Sequence, residues 1–218
     1  MKIQVGKNVL SANDQQALAN RRRLDELKLT GVNVLASPGA GKTSFISALL
    51  TMLPTAYRNG VIEGDVAGRI DADKIAALGF PVTQINTAGG CHLDAGMIAR
   101  AMDELKLAGP GFLFIENIGN LICPAEFQLG EALRMVVASV PEGDDKPIKY
   151  PLVFATAQAV ILNKTDLLGM VDFQMHNFVA AVRAVNPDAP IFTVSCRKQE
   201  GLSAVVDWLL QHAGPAKG

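Results

Sequence analysis

Three stretches of the chain place reactive side chains at spacings that suggest chemistry. In "ASPGAGKTS", Gly39, Ala40 and Gly41 allow backbone amides to turn inward around phosphate oxygens. Lys42 can then reach the β- and γ-phosphates, Thr43 offers a hydroxyl to Mg2+, and Ser44 completes the nucleotide-contacting run. The match to the GxxxxGK(S/T) phosphate loop is imperfect, because Ala36 stands at the first glycine position. The second stretch, "LNKTDL", supplies Asn163, Lys164 and Asp166, an NKxD pattern at the end of an apolar run. The third is Cys91-His92, which pairs with Cys123 as a candidate metal-ligand set.

The NKxD pattern bears on base choice. Asp166 can accept hydrogen bonds from the N1 and N2 groups of guanine, while the Lys164 stem covers the ring and Asn163 ties the loop to the phosphate cradle. Two bonds to a charged acceptor, at about 1.5 to 3 kcal/mol each, correspond to roughly 10² to 10⁴ in preference over adenine. NKxD alone is a weak pattern, but far downstream of a phosphate loop it reads as GTP over ATP. Ser195 and Cys196, after the last apolar run, are candidates for backbone contacts to the guanine oxygen, with a simple strand end as the alternative.

Two acidic positions accompany the cradle. Asp65 in "VIEGD" is placed to act on Mg2+ or its water shell, and Glu116 opens an ExxG where signalling GTPases carry DxxG. Gly119 can present its amide to the γ-phosphate, so this loop can sense hydrolysis. The residue after that glycine is Asn120 rather than the water-orienting glutamine of signalling GTPases, so unaided turnover is expected to be slow. Capping of turns is the alternative role for Asp65 and Glu116.

Cys91 and His92 close one loop and Cys123 lies on another, both at the expected carboxyl edge of a sheet. Two thiols and one imidazole are one ligand short of a closed tetrahedral site. A twofold dimer would supply two copies of each, enough for tetrahedral Zn2+ or square-planar Ni2+, and the spacing does not choose between them. Ordinary burial is the competing reading, since free cysteine often packs as a small hydrophobe. His176 and His212 fall in helical patterns without companions.

These groups need a scaffold that presents loops at one edge. After a helix expected over residues 11–28, apolar runs predict strands over 32–36, 60–63, 82–85, 112–116, 135–140, 159–163 and 191–195. Several runs are continuous rather than alternating, which suits a doubly wound, mainly parallel α/β sheet covered on both faces. Leu93, Met97, Ala101 and Leu105 predict an apolar helix stripe directly after Cys91-His92. "PEGDDKPIKYP", with its turn formers, reads as a mobile surface loop, and the terminal "GPAKG" as a frayed tail. The expected division is a helical segment over 1–30, a nucleotide-binding domain over 31–212 and a tail over 213–218.

At 218 residues, 49% hydrophobic and 19% charged, the chain fits one large α/β core. A formal net charge of -1 provides no general field for nucleic acid, and Arg21, Arg22 and Arg23 read as a solvated helix face. No run is long and apolar enough for a signal peptide core or a membrane span, so a cytoplasmic protein is expected, with no nucleic-acid or membrane partner. Three cysteines in a reducing compartment point to thiol, metal or packing roles rather than disulfides.

The ordered blocks "SPGAGKT", "VIEGD", "QINTAGGCHLDA", "FIENIGNLICPAEFQLGE", "EGDDKPIKYP" and "LNKTDL" resemble the HypB family, nickel-inserting GTPases of NiFe-hydrogenase maturation. The similarity runs over residues 32–168, with a weaker continuation to Trp208. It implies a P-loop GTPase that dimerises on binding GTP, with Cys91, His92 and Cys123 forming a nickel or zinc site at the dimer interface. It also implies GTP/GDP and Mg2+ as cofactors, with a HypA-type metallochaperone and the hydrogenase large-subunit precursor as partners. The cysteine-rich or histidine-rich N-terminal stretches of some members have no counterpart here. Urease-maturation GTPases use a Cys-Pro-His motif, whereas Cys123-Pro124 is followed by Ala125. Other readings are a metal carrier with incidental GTPase activity, a regulatory GTPase with a structural Cys-His pair, and a small-molecule kinase, against which NKxD argues.

Overall fold

The computed structural model describes residues 5–66 and 68–213. Among these residues seven strands form one sheet: β1 (Leu29–Ala36), β2 (Gly60–Asp65), β3 (Val82–Asn86), β4 (Gly111–Glu116), β5 (Leu133–Ser139), β6 (Ala159–Asn163) and β7 (Ile191–Thr193). Their order is β3-β2-β4-β1-β5-β6-β7, and every pairing is parallel. All seven expected strands are present. β5 stops at Ser139 because Val140 opens a 3-10 turn, and β7 stops at Thr193 because Ser195 leaves the ladder to pair with Glu200.

The helices are α1 (Val5–Glu26), α2 (Lys42–Met52), α3 (Ile70–Ala77), α4 (Ala95–Leu105), α5 (Cys123–Glu126), α6 (Lys146–Lys149), α7 (Pro151–Ala155), α8 (Met175–Val185) and α9 (Leu202–His212). Because strand side chains alternate between faces, Val32, Val34 and Phe114 point to one side. There they are covered by Phe45 and Leu49 of α2 and by Leu202, Val205 and Leu209 of α9. On the opposite side Leu35, Val136 and Val160 meet Phe154 of α7 and Phe178 and Val182 of α8. Ile62, Leu113 and Ile115 meet Leu24 of α1 and Ile98 and Met102 of α4. Each such side chain contributes roughly 1.5 to 3 kcal/mol when fully buried.

α1 starts earlier than the sequence suggests and is fastened to the sheet domain. Asn20 Nδ2 donates to the carbonyls of Ala95 and Leu129, at 2.7 and 2.9 Å, and Asn13 Oδ1 accepts from the Ala95 amide. Arg21 and Arg23 pair with Asp25 and Asp103, as expected of a solvated face. On α4 the buried stripe is Ala95, Ile98, Ala101 and Met102, with Met97 and Leu105 only partly buried. The expected mobile loop over 141–151 is instead a 3-10 turn followed by α6 and the start of α7. Prolines at the first turns of these elements need no amide partner there and favour the helical φ. The "GPAKG" tail lies outside the described residues, among which no helix is long and apolar enough to cross a membrane.

Candidate functional site

The phosphate loop runs from the end of β1 into the N-terminus of α2. Gly39 and Gly41 have φ of 79° and 97°, and a Cβ on Gly41 would lie 2.7 Å from Asn163 Nδ2, so position 41 requires glycine twice over. Ala36 is still within β1, paired with Val137, where a Cβ costs nothing. That explains the missing first glycine. Burial lowers the pKa of Lys42, opposed chiefly by the charge of Glu116.

Two carboxyls face this cradle from adjacent strands. Glu116 Oε1 accepts the Thr43 hydroxyl at 2.7 Å, and Glu116 Oε2 is buried without a partner among the described residues. Glu63, absent from the candidates that the sequence suggests, is paired in register with Glu116 and also has a buried, unpartnered Oε2. Burial pushes each carboxyl up to about 7, and for Glu63 the neighbouring charge of Glu116 adds to the effect. Asp65 turns toward its own loop, accepting from the amides of Val66 and Gly68 at 2.6 and 2.9 Å. The only sequence signal for Glu63 is a charge directly after the apolar pair Val61-Ile62 inside β2.

The expected γ-phosphate loop lies against the cradle. A Cβ on Gly119 would sit 3.2 Å from Pro38 Cα, so the absence of a side chain permits this approach. Next to it, Asn120 Nδ2 donates to the Cys91 carbonyl at 3.3 Å.

On the other side of the cradle, Gly41, Ser44, Asn163, Lys164, Asp166, Leu167, Cys196 and Arg197 line a cavity of about 390 Å³. Asn163 Nδ2 donates to the Ala40 carbonyl at 3.0 Å, and Lys164 Nζ to that of Gly39 at 2.6 Å, so the NKxD loop is tied to the phosphate loop. Ser195 Oγ donates to Asp166 Oδ1 at 2.6 Å and keeps its carboxyl below the ordinary range. The expected backbone contacts from Ser195 and Cys196 differ. The Ser195 amide is committed to the Glu200 carbonyl and that of Cys196 to Asn163 Oδ1. Ser195 instead turns its hydroxyl to Asp166, and Cys196 lines the cavity with its thiol pushed up to about 11 by burial.

The loops after β3 and β4 bring the metal candidates into one neighbourhood. Cys91 Sγ lies 3.6 Å from His92 Nδ1, and a hydrogen bond with Cys123 raises the Cys91 thiol pKa. The His92 ring stacks on Phe127, with centroids 3.8 Å apart. Cys91 is exposed and Cys123 half-buried. Among the described residues, no group of three or more His, Cys, Asp or Glu side chains converges as a metal site within one chain.

The family model for the CobW/HypB/UreG nucleotide-binding domain matches residues 31–193. The hydrogenase maturation factor HypB of Azotobacter chroococcum mcd 1 is 44% identical over 212 residues, covering 97% of this chain and 70% of the relative. The hydrogenase/urease maturation factor HypB of Helicobacter pylori strain J99 is 38% identical over 213 residues, covering 96% and 87%. A crystal structure of HypB from Helicobacter pylori in complex with nickel superposes with a TM-score of 0.87 at 34% identity, covering 95% of this chain and 99% of that one.

Proposed function

The chain belongs to the CobW/HypB/UreG family, with HypB as its match within it, and from that premise we propose that it is a cytoplasmic GTP-hydrolysing metallochaperone for hydrogenase maturation. Its cargo is nickel, with zinc as the competing ion, held by Cys91, His92 and Cys123 in a GTP-dependent twofold dimer. The partners are a HypA-type metallochaperone and the hydrogenase large-subunit precursor. The observation that carries this reading is the contact between Asn120, beside the phosphate loop, and Cys91, the first thiol of the metal set.

Asp166 reads guanine, Lys42 and the Gly39–Gly41 turn hold phosphate, and Gly119 senses the γ-phosphate. The unpartnered carboxylate oxygens near Thr43 suit a hard cation that prefers oxygen ligands, so Mg2+ fits. Thr43 would hold it, with Asp65 after turning from its own loop and with Glu116 nearby; the bound ion would offset charge on the transferred phosphate. Nucleotide can control metal only by binding two conformations unequally, so GTP must favour the arrangement that closes the shared site.

Equilibrium nickel binding, with zinc as competitor, tests this for wild type, Cys91→Ala and Cys123→Ala with GDP and with a nonhydrolysable GTP analogue. Dependence on both cysteines and a change of affinity or stoichiometry with nucleotide are expected. Alanine variants that bind as wild type does would overturn the metal assignment, and identical affinities in all nucleotide states would overturn the coupling.

A further inference from the structure

Glu63 and Glu116 stand side by side at the carboxyl ends of β2 and β4, in register and on the face of the sheet that α2 covers. Each is almost fully buried, at 2% and 3% exposure. Neighbouring parallel strands are about 4.8 Å apart, so two ionised carboxylates here repel each other in a poorly solvated setting. Hydrogen bonding satisfies only part of this pair. Thr43 occupies one Glu116 oxygen, the Gln84 side-chain amide donates to the Gly68 carbonyl, and among the described residues one buried oxygen of each carboxyl remains without a partner. Buried polar atoms of this kind are costly when left unmatched. Two adjacent ones point to a ligand that supplies positive charge or donors.

We propose that Glu63 is a positioning residue of the divalent-cation site, accepting hydrogen bonds from the cation's water shell beside Glu116. This rests on the nucleotide reading of the phosphate loop. Mg2+ typically keeps several waters and uses few protein carboxylates, which leaves a buried carboxylate in the next shell free to orient those waters. Lys42 is the competing partner, since the Glu63 charge also acts on it.

The test measures the affinity of a fluorescent GDP with Mg2+ and with EDTA, and of Mn2+ for the GDP complex by electron paramagnetic resonance. Glu63→Gln keeps the size of the side chain, and Glu63→Asp is the second variant should it fold poorly. Glu63→Gln is expected to bind GDP in EDTA within about twofold of wild type while losing roughly 10- to 100-fold in cation affinity. Glu63→Asp, which keeps the charge, should recover part of the loss. A variant with wild-type cation affinity overturns the proposal. So does an equal change in GDP affinity with and without Mg2+, which would make Glu63 a counter-charge for Lys42. Failure of wild type to bind GDP at all would overturn the nucleotide reading beneath it.

Discussion

Asn120 donates its side-chain amide to the Cys91 carbonyl, joining the loop after β4 to the loop after β3. Its Oδ1 meanwhile accepts from the Ile122 amide, next to Cys123. One side chain therefore touches the backbone beside both thiols. Asn120→Ala is expected to keep GDP and nickel binding but to bring the ratio of nickel affinities in the GTP-analogue and GDP states toward one. Titration of both states measures it; an unchanged ratio would show that coupling runs elsewhere.

Asp166 is held by Ser195 and lines the cavity beside the phosphate loop as a charged acceptor. Asp166→Asn replaces an acceptor with a donor opposite the guanine N2 group and should weaken GTP binding by about 10²-fold or more. Xanthine carries an oxygen at that position, so affinity for its nucleotide should rise. Competition binding with the two nucleotides checks both directions.

The strands are legible in the sequence because a parallel sheet covered on both faces writes continuous apolar runs, as in "FLFI" of β4. The cradle and base loop are legible because glycine, lysine and NKxD have local meaning. The segment over 141–155 is not, because short helices opened by Pro147 and Pro151 carry the same residues as turns. Glu63 escapes notice because its significance depends on Glu116, which reaches it only through the β2–β4 register. The metal set is readable as residue types alone; whether a partner subunit completes it is not written in one chain's spacing.

The paired acids predict how the nucleotide-free protein responds to pH. In the folded state Glu63 and Glu116 hold protons up to about 7, against an ordinary value of 4.5. Between those values the folded chain binds protons that the unfolded chain has released, so stability falls as pH rises and levels off above about 7. Each group contributes at most about 3 kcal/mol to that fall. Thermal unfolding from pH 5 to 8 should show the decline, and Glu63→Gln should flatten it. A Tm that rises across this range would contradict the assignment.

Arg134 decides whether the Cys123 turn keeps its shape. Its side chain and that of Glu131 are 3% and 4% exposed and form an ion pair at 2.8 Å. The guanidinium also donates to the carbonyls of Ala125 and Phe127, each at 3.0 Å, within the turn that follows Cys123 and supports the His92 ring. Glu131 in turn accepts from Asn33 and from the Leu129 amide. Removing the cation strands a buried carboxylate and two carbonyls, which costs about 3 to 5 kcal/mol. Arg134→Met should therefore lower stability by that amount in denaturant titration. Arg134→Lys should recover only part, since one ammonium cannot reproduce the planar fork. If Arg134→Met unfolds at the wild-type midpoint, the network does not hold the turn, and the placement of Cys123 must come from other contacts such as the Asn120 bond to the Ile122 amide.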